Sequence, residues 1–214
     1  MSLQDNIAEY KAAFVQKAPQ NVQELMKQVT QELADTGIVD KAPKVSDKIL
    51  PFSLSNQHGE TVNLEALLAK GPVVLTFYRG GWCPYCNLEL KAFQDQLANI
   101  KGENGTLVAI TPELPDSSLS TAEKNALEFE VLSDVNSDYA RSLGLVFSLA
   151  EELRPIYLSF GIEVEKHNGE GQFDLPLAAT FVIAQDGTVA SSFVTADYTA
   201  RQEPAEVVAV LKTL

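Results

Sequence analysis

Apolar residues recur at three- and four-residue steps over residues 3–36: Ile7, Tyr10 and Phe14, then Val22, Leu25, Met26, Val29 and Leu33. That spacing lines one face of an α-helix. Pro19 interrupts the run. Proline suits a first turn and not a helix interior, so two helices are expected, with Gly37 as the C-terminal stop. From Val45 the period changes. FSLSNQHGETVNL alternates in short pieces around His58-Gly59, as a hairpin does, and Asn63 then caps a short helix, LEALLA. PVVLTFY and TLVAIT are continuous β-rich apolar runs, the pattern of strands buried on both faces.

Between and after these runs the helical period returns. Residues 84 to about 100 read as a helix with Leu88, Phe93 and Leu97 among its apolar positions. Ser118–Phe129 reads as another, VLSD as a short strand, and SDYARSLG as a helix ending on Gly144. Residues 146–176 have mixed character, with Ser148 and Glu151 spaced for a capping box and Pro155 placed to start a short helix. ATFVIAQDGTVASSFV is two strands joined at Asp186-Gly187, and Glu203-Pro204 opens a final helix. Alternating strands and helices with a closing hairpin predict an α/β chain with a mixed central sheet flanked by helices, the thioredoxin-like pattern. The boundaries expected are a helical extension over 1–44 and a thioredoxin-fold domain over 45–214. The extension is read as a packing arm, or alternatively as the contact of a homodimer.

Composition narrows the function classes. The chain has 214 residues, 29 acidic and 16 basic, and a formal net charge of −13. That charge opposes a bare polyanion, so no nucleic-acid partner is expected. No apolar run approaches the ~20 residues of a membrane helix, and MSLQDNIAEYKAAF lacks a basic n-region and an apolar h-region. A cytoplasmic protein with no membrane partner is the expectation.

The two cysteines, Cys83 and Cys86, are the only ones and lie within GGWCPYC. A zinc site would need a second ligand pair, and the only histidines, His58 and His167, are unpaired, so neither metal nor other cofactor is expected. A disulfide closing so small a loop restrains the unfolded chain very little, which speaks against a purely structural bond. Gly80 and Gly81 allow a tight turn out of the strand, and Pro84 suits the first helical position. Cys83 then falls near the N-cap and Cys86 one turn in. Unpaired N–H groups and the positive end of the helix dipole favour a thiolate there. Arg79 is a candidate fixed charge beside it, or else a surface ion-pair partner. Trp82 is a candidate shield, or else simple packing. A thiolate that attacks an oxidant has its resolving partner within reach, so the pair reads as a redox centre.

FYRGGWCPYCNLELKAF resembles the AhpC/TSA-type peroxiredoxin-like proteins of the thioredoxin superfamily. FSLSNQHGETVNL, the stretch AITPELPDSSLSTAEKNALEFEVLSD, LRPIYLSFGI, LPLAATFVIAQDGTV and DYTARQEPAEVVAVL extend the likeness over nearly the whole chain. The resemblance implies a thiol peroxidase. A thiolate attacks hydrogen peroxide or an organic hydroperoxide, a second thiol closes a disulfide, and thioredoxin or glutathione/glutaredoxin resets it. Two templates overlie the same residues. On the peroxiredoxin template Cys86 attacks, followed by Glu89 and Phe93, and Cys83 stands where a threonine is usual. This is the preferred assignment. On the W-C-x-x-C template of thioredoxin- and glutaredoxin-type disulfide reductases, the alternative activity, Cys83 attacks and Cys86 resolves. A non-catalytic module that kept the fold is the third reading. It predicts inaccessible cysteines or an ordinary thiol pKa. Arg79 is the candidate for thiolate and transition-state stabilisation, and Trp82, Pro84, Tyr85 and Thr180 are candidates for the substrate pocket. The arginine usual before the late T-F strand is absent, since Ala178 and Ala179 precede Thr180, and Ala178 also stands where relatives often carry proline. Arg79 or Arg201 could substitute for that arginine in space.

Overall fold

In the computed structural model, which describes residues 1–214, the elements follow in the order α1 (Leu3–Lys17), α2 (Gln20–Asp35), β1 (Ser53–Asn56), β2 (Thr61–Asn63), α3 (Leu64–Leu68), β3 (Val73–Phe77), α4 (Pro84–Gly102), β4 (Thr106–Thr111), α5 (Pro115–Lys124), β5 (Glu130–Ser133), α6 (Asp138–Ser142), β6 (Val146–Ser148), α7 (Arg154–Ser159), α8 (Val164–Asn168), β7 (Asp174–Pro176), β8 (Ala178–Ile183), β9 (Val189–Thr195) and α9 (Pro204–Leu211). Seven strands form one mixed sheet in the order β2-β1-β5-β4-β3-β8-β9. The core strands β3, β4 and β5 run parallel, and the antiparallel β8–β9 and β1–β2 hairpins extend the two edges.

Every residue of β3 is buried, because helices cover both faces of the sheet. The strand period divides its side chains. Val74 and the following Tyr78 join the core that α1, α4 and α9 close, with Leu90, Phe93, Leu97 and Leu211. Val73, Leu75 and Phe77 join the opposite core, with Leu64 and Leu67 of α3 and Tyr139 and Ala140 of α6. Each such side chain contributes roughly 1.5–3 kcal/mol on burial, so these two layers are what fixes the sheet.

The local signals for turns and caps behave as their chemistry predicts. Gly37 is left-handed at φ 68° just past α2. The Asn63 carboxamide accepts from Ala66 N at 2.9 Å and caps α3. Gly187, at φ 84°, turns β8 into β9. Three details differ from the sequence expectation. The helix expected over Ser118–Phe129 is α5, which starts earlier on Pro115 at a first-turn position and ends before Ala126 turns left-handed at φ 50°. Ser148 and Glu151 form no capping box. Ser148 is the last residue of β6, paired with Asp174, and the 3-10 turn over Glu151–Leu153 begins after Ala150 with no side-chain cap. The β6–β7 ribbon is an addition to the expected elements. It is short and its residues follow no clear alternation.

The N-terminal helices are fastened to the rest of the chain at specific points. Ser2 and Asp5 make a capping box on α1. Leu3 N and Gln4 N also donate to the Glu203 carboxylate, at 3.2 and 3.3 Å, and Gln4 Nε2 donates to Arg201 O at 2.8 Å. Leu3 and Ile7 are buried in the same core as both cysteines. The apolar face of α2, with Val22, Leu25, Met26 and Val29, packs on Leu149, Leu153, Tyr157 and Leu175. No helix is long and apolar enough to cross a membrane.

Candidate active site

The turn between β3 and α4 is held by its two glycines. Gly80 sits at φ 155°, and a Cβ there would lie 2.2 Å from Trp82 Nε1. A Cβ on Gly81 would lie 1.9 Å from Thr121 Oγ1 on α5. Only glycine lets the loop pass this close to α5. Cys83 N donates back to Gly80 O at 3.1 Å. Asn87 Nδ2 donates to Gly81 O at 2.7 Å and to Cys83 O at 3.0 Å, and Asn125 Nδ2 in turn donates to Asn87 Oδ1 at 2.9 Å. Cys83 therefore occupies the N-cap of α4 with extended backbone (φ −88°, ψ 117°), Pro84 takes the first turn, and Cys86 follows inside the helix.

Both cysteines are free thiols and both are fully buried. Each has its own arginine. Arg79 Nη2 lies 3.0 Å from Cys83 Sγ, and its Nη1 donates to Tyr157 Oη at 2.9 Å. The guanidinium of Arg79 is also sandwiched against the rings of Tyr198, at 4.4 Å, and Trp82, at 5.2 Å. Arg201 Nη2 lies 3.3 Å from Cys86 Sγ, and its Nε donates to Glu89 Oε2 at 2.7 Å in a wholly buried ion pair. Arg201 Nη1 donates to the carbonyls of Tyr198 and Ala200, at 2.6 and 2.7 Å, which fixes its fork.

The electrostatics separate the two sulfurs. Burial opposes ionisation of Cys83, but the hydrogen bond from the Cys86 thiol and the charges of Arg79 and Arg201 outweigh it, so its pKa falls well below the ordinary thiol value. Burial, the bond to Cys83 and the charge of Cys83 push the Cys86 thiol well above that value, and the arginines offset this only in part. Burial also lifts Glu89 to about 7, with Arg201 pulling the other way and Cys86 adding repulsion. One guanidinium, Arg201, thus serves two acidic groups.

Of the residues expected at the site, Arg79, Trp82, Cys83, Pro84, Tyr85 and Cys86 come together. Arg79 is no surface ion-pair residue, since it is 5% exposed. Tyr85 packs edge-on between Tyr10 and Tyr198, at 5.1 and 5.7 Å. Thr180 is the exception. It is fully buried in β8, its Oγ1 3.2 Å from Thr76 Oγ1 across the sheet, and it does not line the cavity above Arg79. The sheet register sets it beside Thr76 on the face of the sheet that carries Val74 and Val182 and packs on α4. Tyr10, Tyr157 and Tyr198 lie within the helical arm, the 146–176 segment and the link before α9. The pattern reads Tyr10 only as an apolar helical position, and Tyr157 and Tyr198 lie in stretches that carry the family likeness without being marked as site residues, so only the fold brings them to the turn.

Residues 45–192 match the AhpC/TSA family. A chloroplastic peroxiredoxin Q of Triticum aestivum is 32% identical over 131 residues, 60% of this chain and 59% of that one. Peroxiredoxin Bcp of Escherichia coli K12 is 28% identical over 102 residues, 48% of this chain and 65% of that one. The crystal structure of peroxidoxin BcpB from Mycobacterium tuberculosis superposes with a TM-score of 0.63 at 24% identity, covering 80% of this chain and 97% of that one. The sheet order, the cysteines at the β3–α4 turn and the extent of the family match agree: the chain belongs to the AhpC/TSA family, the thiol-dependent peroxidases of the thioredoxin superfamily.

Proposed function

We propose that Cys83 is the attacking thiolate and Cys86 the resolving thiol of a dithiol–disulfide cycle that reduces hydroperoxides. The contact of Arg79 Nη2 with Cys83 Sγ, at 3.0 Å at the N-cap of α4, carries the assignment. The peroxiredoxin template prefers Cys86. The geometry favours Cys83, because the thiol whose pKa is lowered supplies more thiolate at neutral pH. The Cys83 thiolate attacks the terminal oxygen of R–O–O–H. The S–O bond forms, the O–O bond breaks, and RO⁻ leaves and takes a proton. Arg79 stands where it can meet the charge developing on those oxygens. The Cys86 sulfur then attacks the sulfenic acid, an S–S bond forms, and hydroxide leaves as water with the Cys86 proton. Arg201, held by Glu89, supports Cys86 as it ionises.

An external thiol reductant, one dithiol or two monothiols, supplies the two electrons that return the pair to the reduced state. Thioredoxin or glutathione/glutaredoxin in a reducing compartment, the cytoplasm, fits that need. Both sulfurs are completely buried, so thioredoxin, like any bulky protein disulfide, reaches them only when the covering side chains part. Burial alone would also suit a non-catalytic module, but the lowered Cys83 pKa and the two arginines would then have no purpose.

Stopped-flow reaction of the reduced protein with peroxide tests the assignment. Cys86→Ser should react as fast as wild type and leave a trappable sulfenic acid, and Cys83→Ser should be slow. The reverse pattern would return the attack to Cys86. A wild-type rate no faster than free cysteine thiolate would remove the peroxidase cycle altogether.

A further inference from the structure

The cycle moves protons as well as electrons through a wholly buried pair. Cys86 gives up its proton when it attacks, and must regain one when a reductant opens the disulfide. Neither sulfur meets solvent. A chain of buried groups outside the site described above runs from this core to the surface. Tyr78, next to Arg79 and fully buried, lies in the same core cluster as Cys83 and Cys86. Its Oη donates to Glu113 Oε2 at 3.5 Å, and Thr121 Oγ1 donates to the same oxygen at 3.4 Å. Glu113, just past β4, is 0% exposed. Its Oε1 lies 3.2 Å from His167 Nδ1 on α8, out of line for a hydrogen bond, and neither atom has another partner. The His167 side chain is 34% exposed. His167 O also accepts from Leu114 N at 2.7 Å, which fixes α8 beside Glu113. The other charged side chains of α8 are engaged at the surface, Lys166 with Glu163 at 2.6 Å and Glu165 with Gly171 N at 2.7 Å. Burying a carboxylate away from water is costly, and two loose donors with one misaligned imidazole do little to offset it. Stability therefore does not account for Glu113.

We propose that His167, Glu113 and Tyr78 carry a proton from solvent to Cys86 when the disulfide is reduced. An external thiolate attacks Cys83 Sγ, a new S–S bond forms, and the Cys83–Cys86 bond breaks. Cys86 keeps the electron pair of that bond and takes the proton of Tyr78 Oη. Tyr78 regains one from Glu113, Glu113 from His167 Nδ1, and His167 from water. Each link gives one proton and receives one, so the chain ends as it began. A phenol suits the inner place. Burial first, then the charge of Glu113, with a smaller part from Cys86, hold Tyr78 well above its ordinary range. It therefore stays a neutral hydroxyl, able to accept a proton and give its own. The long, poorly aligned contacts of a resting relay tighten as the proton moves. Delivery matters because a buried sulfur that departs as a bare thiolate is a poor leaving group. The inference rests on the dithiol–disulfide cycle and adds the residues that serve its reductive half.

The test starts from protein whose disulfide has been formed with diamide, so it uses no peroxide. Dithiothreitol is added at concentrations where the rate is proportional to reagent. The emission of Trp82, the only tryptophan and the neighbour of Cys83, follows the reduction. Tyr78→Phe and Glu113→Gln should be reduced about 100-fold more slowly than wild type, the lower range for a lost general acid. His167→Ala, at a partly exposed position, folds even where the buried variants do not. It should slow reduction about tenfold, and imidazole added to the buffer should restore most of that loss. The alkylation midpoint of Cys83 against pH should stay at its wild-type value in His167→Ala, because the Arg79 contact is untouched. Wild-type reduction rates in the variants would overturn the relay. So would a slowed His167→Ala that imidazole does not restore, or one whose alkylation midpoint shifts, since either makes the residue a structural support only. Protein that obeys the expected pattern yet shows no reaction with peroxide would sink the peroxidase cycle and keep the relay.

Discussion

At the residue scale the site is a division of charge between two similar sulfurs. Cys83 has a helix N-terminus and Arg79, whereas Cys86 shares Arg201 with Glu89. Replacing Arg79 with methionine keeps much of the volume and removes the cation. The midpoint of alkylation against pH should rise, and the peroxide rate at neutral pH should fall by about 100-fold, the usual cost of one charge-stabilising donor. Glu89 gives a stability signature. Its pKa in the folded protein is about 7, above the ordinary 4.5, so the folded state holds more protons than the unfolded between those values. Stability should therefore fall as pH rises from about 4.5 to 7, by roughly 3 kcal/mol, and level off above. Urea titrations across that range check this, and Glu89→Gln should flatten the slope. Removing Arg201 instead leaves Glu89 buried without its cation, and Arg201→Ala should cost ~3–5 kcal/mol. The sequence displays much of this chemistry: two lone cysteines, a Gly-Gly turn and a proline at a first-turn position suffice to place the thiols at a helix end. It does not display which arginine reaches which sulfur, since Arg201 lies 115 positions from Cys86.

At the scale of elements, the β3–α4 turn is accurate because its neighbours leave it no slack. Gly81 passes against Thr121 of α5, and Asn125, on the turn after α5, ties down Asn87 of α4. Gly81→Ala should destabilise the protein by ~1–3 kcal/mol through overcrowding, read as a shift in the denaturation midpoint. Adding Thr121→Ala should recover most of that loss, since the clash at 1.9 Å is with the Thr121 hydroxyl. A fully additive double mutant would show that the contact is not the cause. The elements that could be read from the pattern were those with strong period or firm punctuation. β3 and β4 are uninterrupted apolar runs, Asn63 and Asp186-Gly187 carry their own turn chemistry, and Pro204 opens α9. Those that could not be read have neither. α5 is polar along its exposed face, so its start on Pro115 carries a weaker signal than the later SLSTAEK, and β6–β7 has only three residues per strand.

At the scale of the whole molecule, the N-terminal helices and the layer that bears the cysteines are fastened through one short segment. Glu203 receives the N–H groups of Leu3 and Gln4, Gln4 holds the carbonyl of Arg201, and Arg201 touches Cys86. Movement of α1 and positioning of Arg201 are therefore mechanically linked. Glu203→Gln weakens that fastening by about 1 kcal/mol, the typical worth of a helix cap. Alkylation of the reduced thiols at fixed pH should then quicken about fivefold, measured with iodoacetamide. No fragment of sequence announces this linkage, because its partners are 200 residues apart. The complete burial of both sulfurs gives the assay a further meaning. A reagent reaches them only when the covering side chains part, as an amide exchanges its hydrogen only when a protein opens locally. At low concentration the modification rate is proportional to the reagent concentration, with a slope set by the open fraction, the thiolate fraction and the intrinsic reactivity of the thiolate. At high concentration it should plateau at the opening rate itself, the same for iodoacetamide and for bulkier maleimides. The dithiol then serves as a clock for the side chains that cover it, and the plateau sets a ceiling on how fast a peroxide can reach the reduced pair.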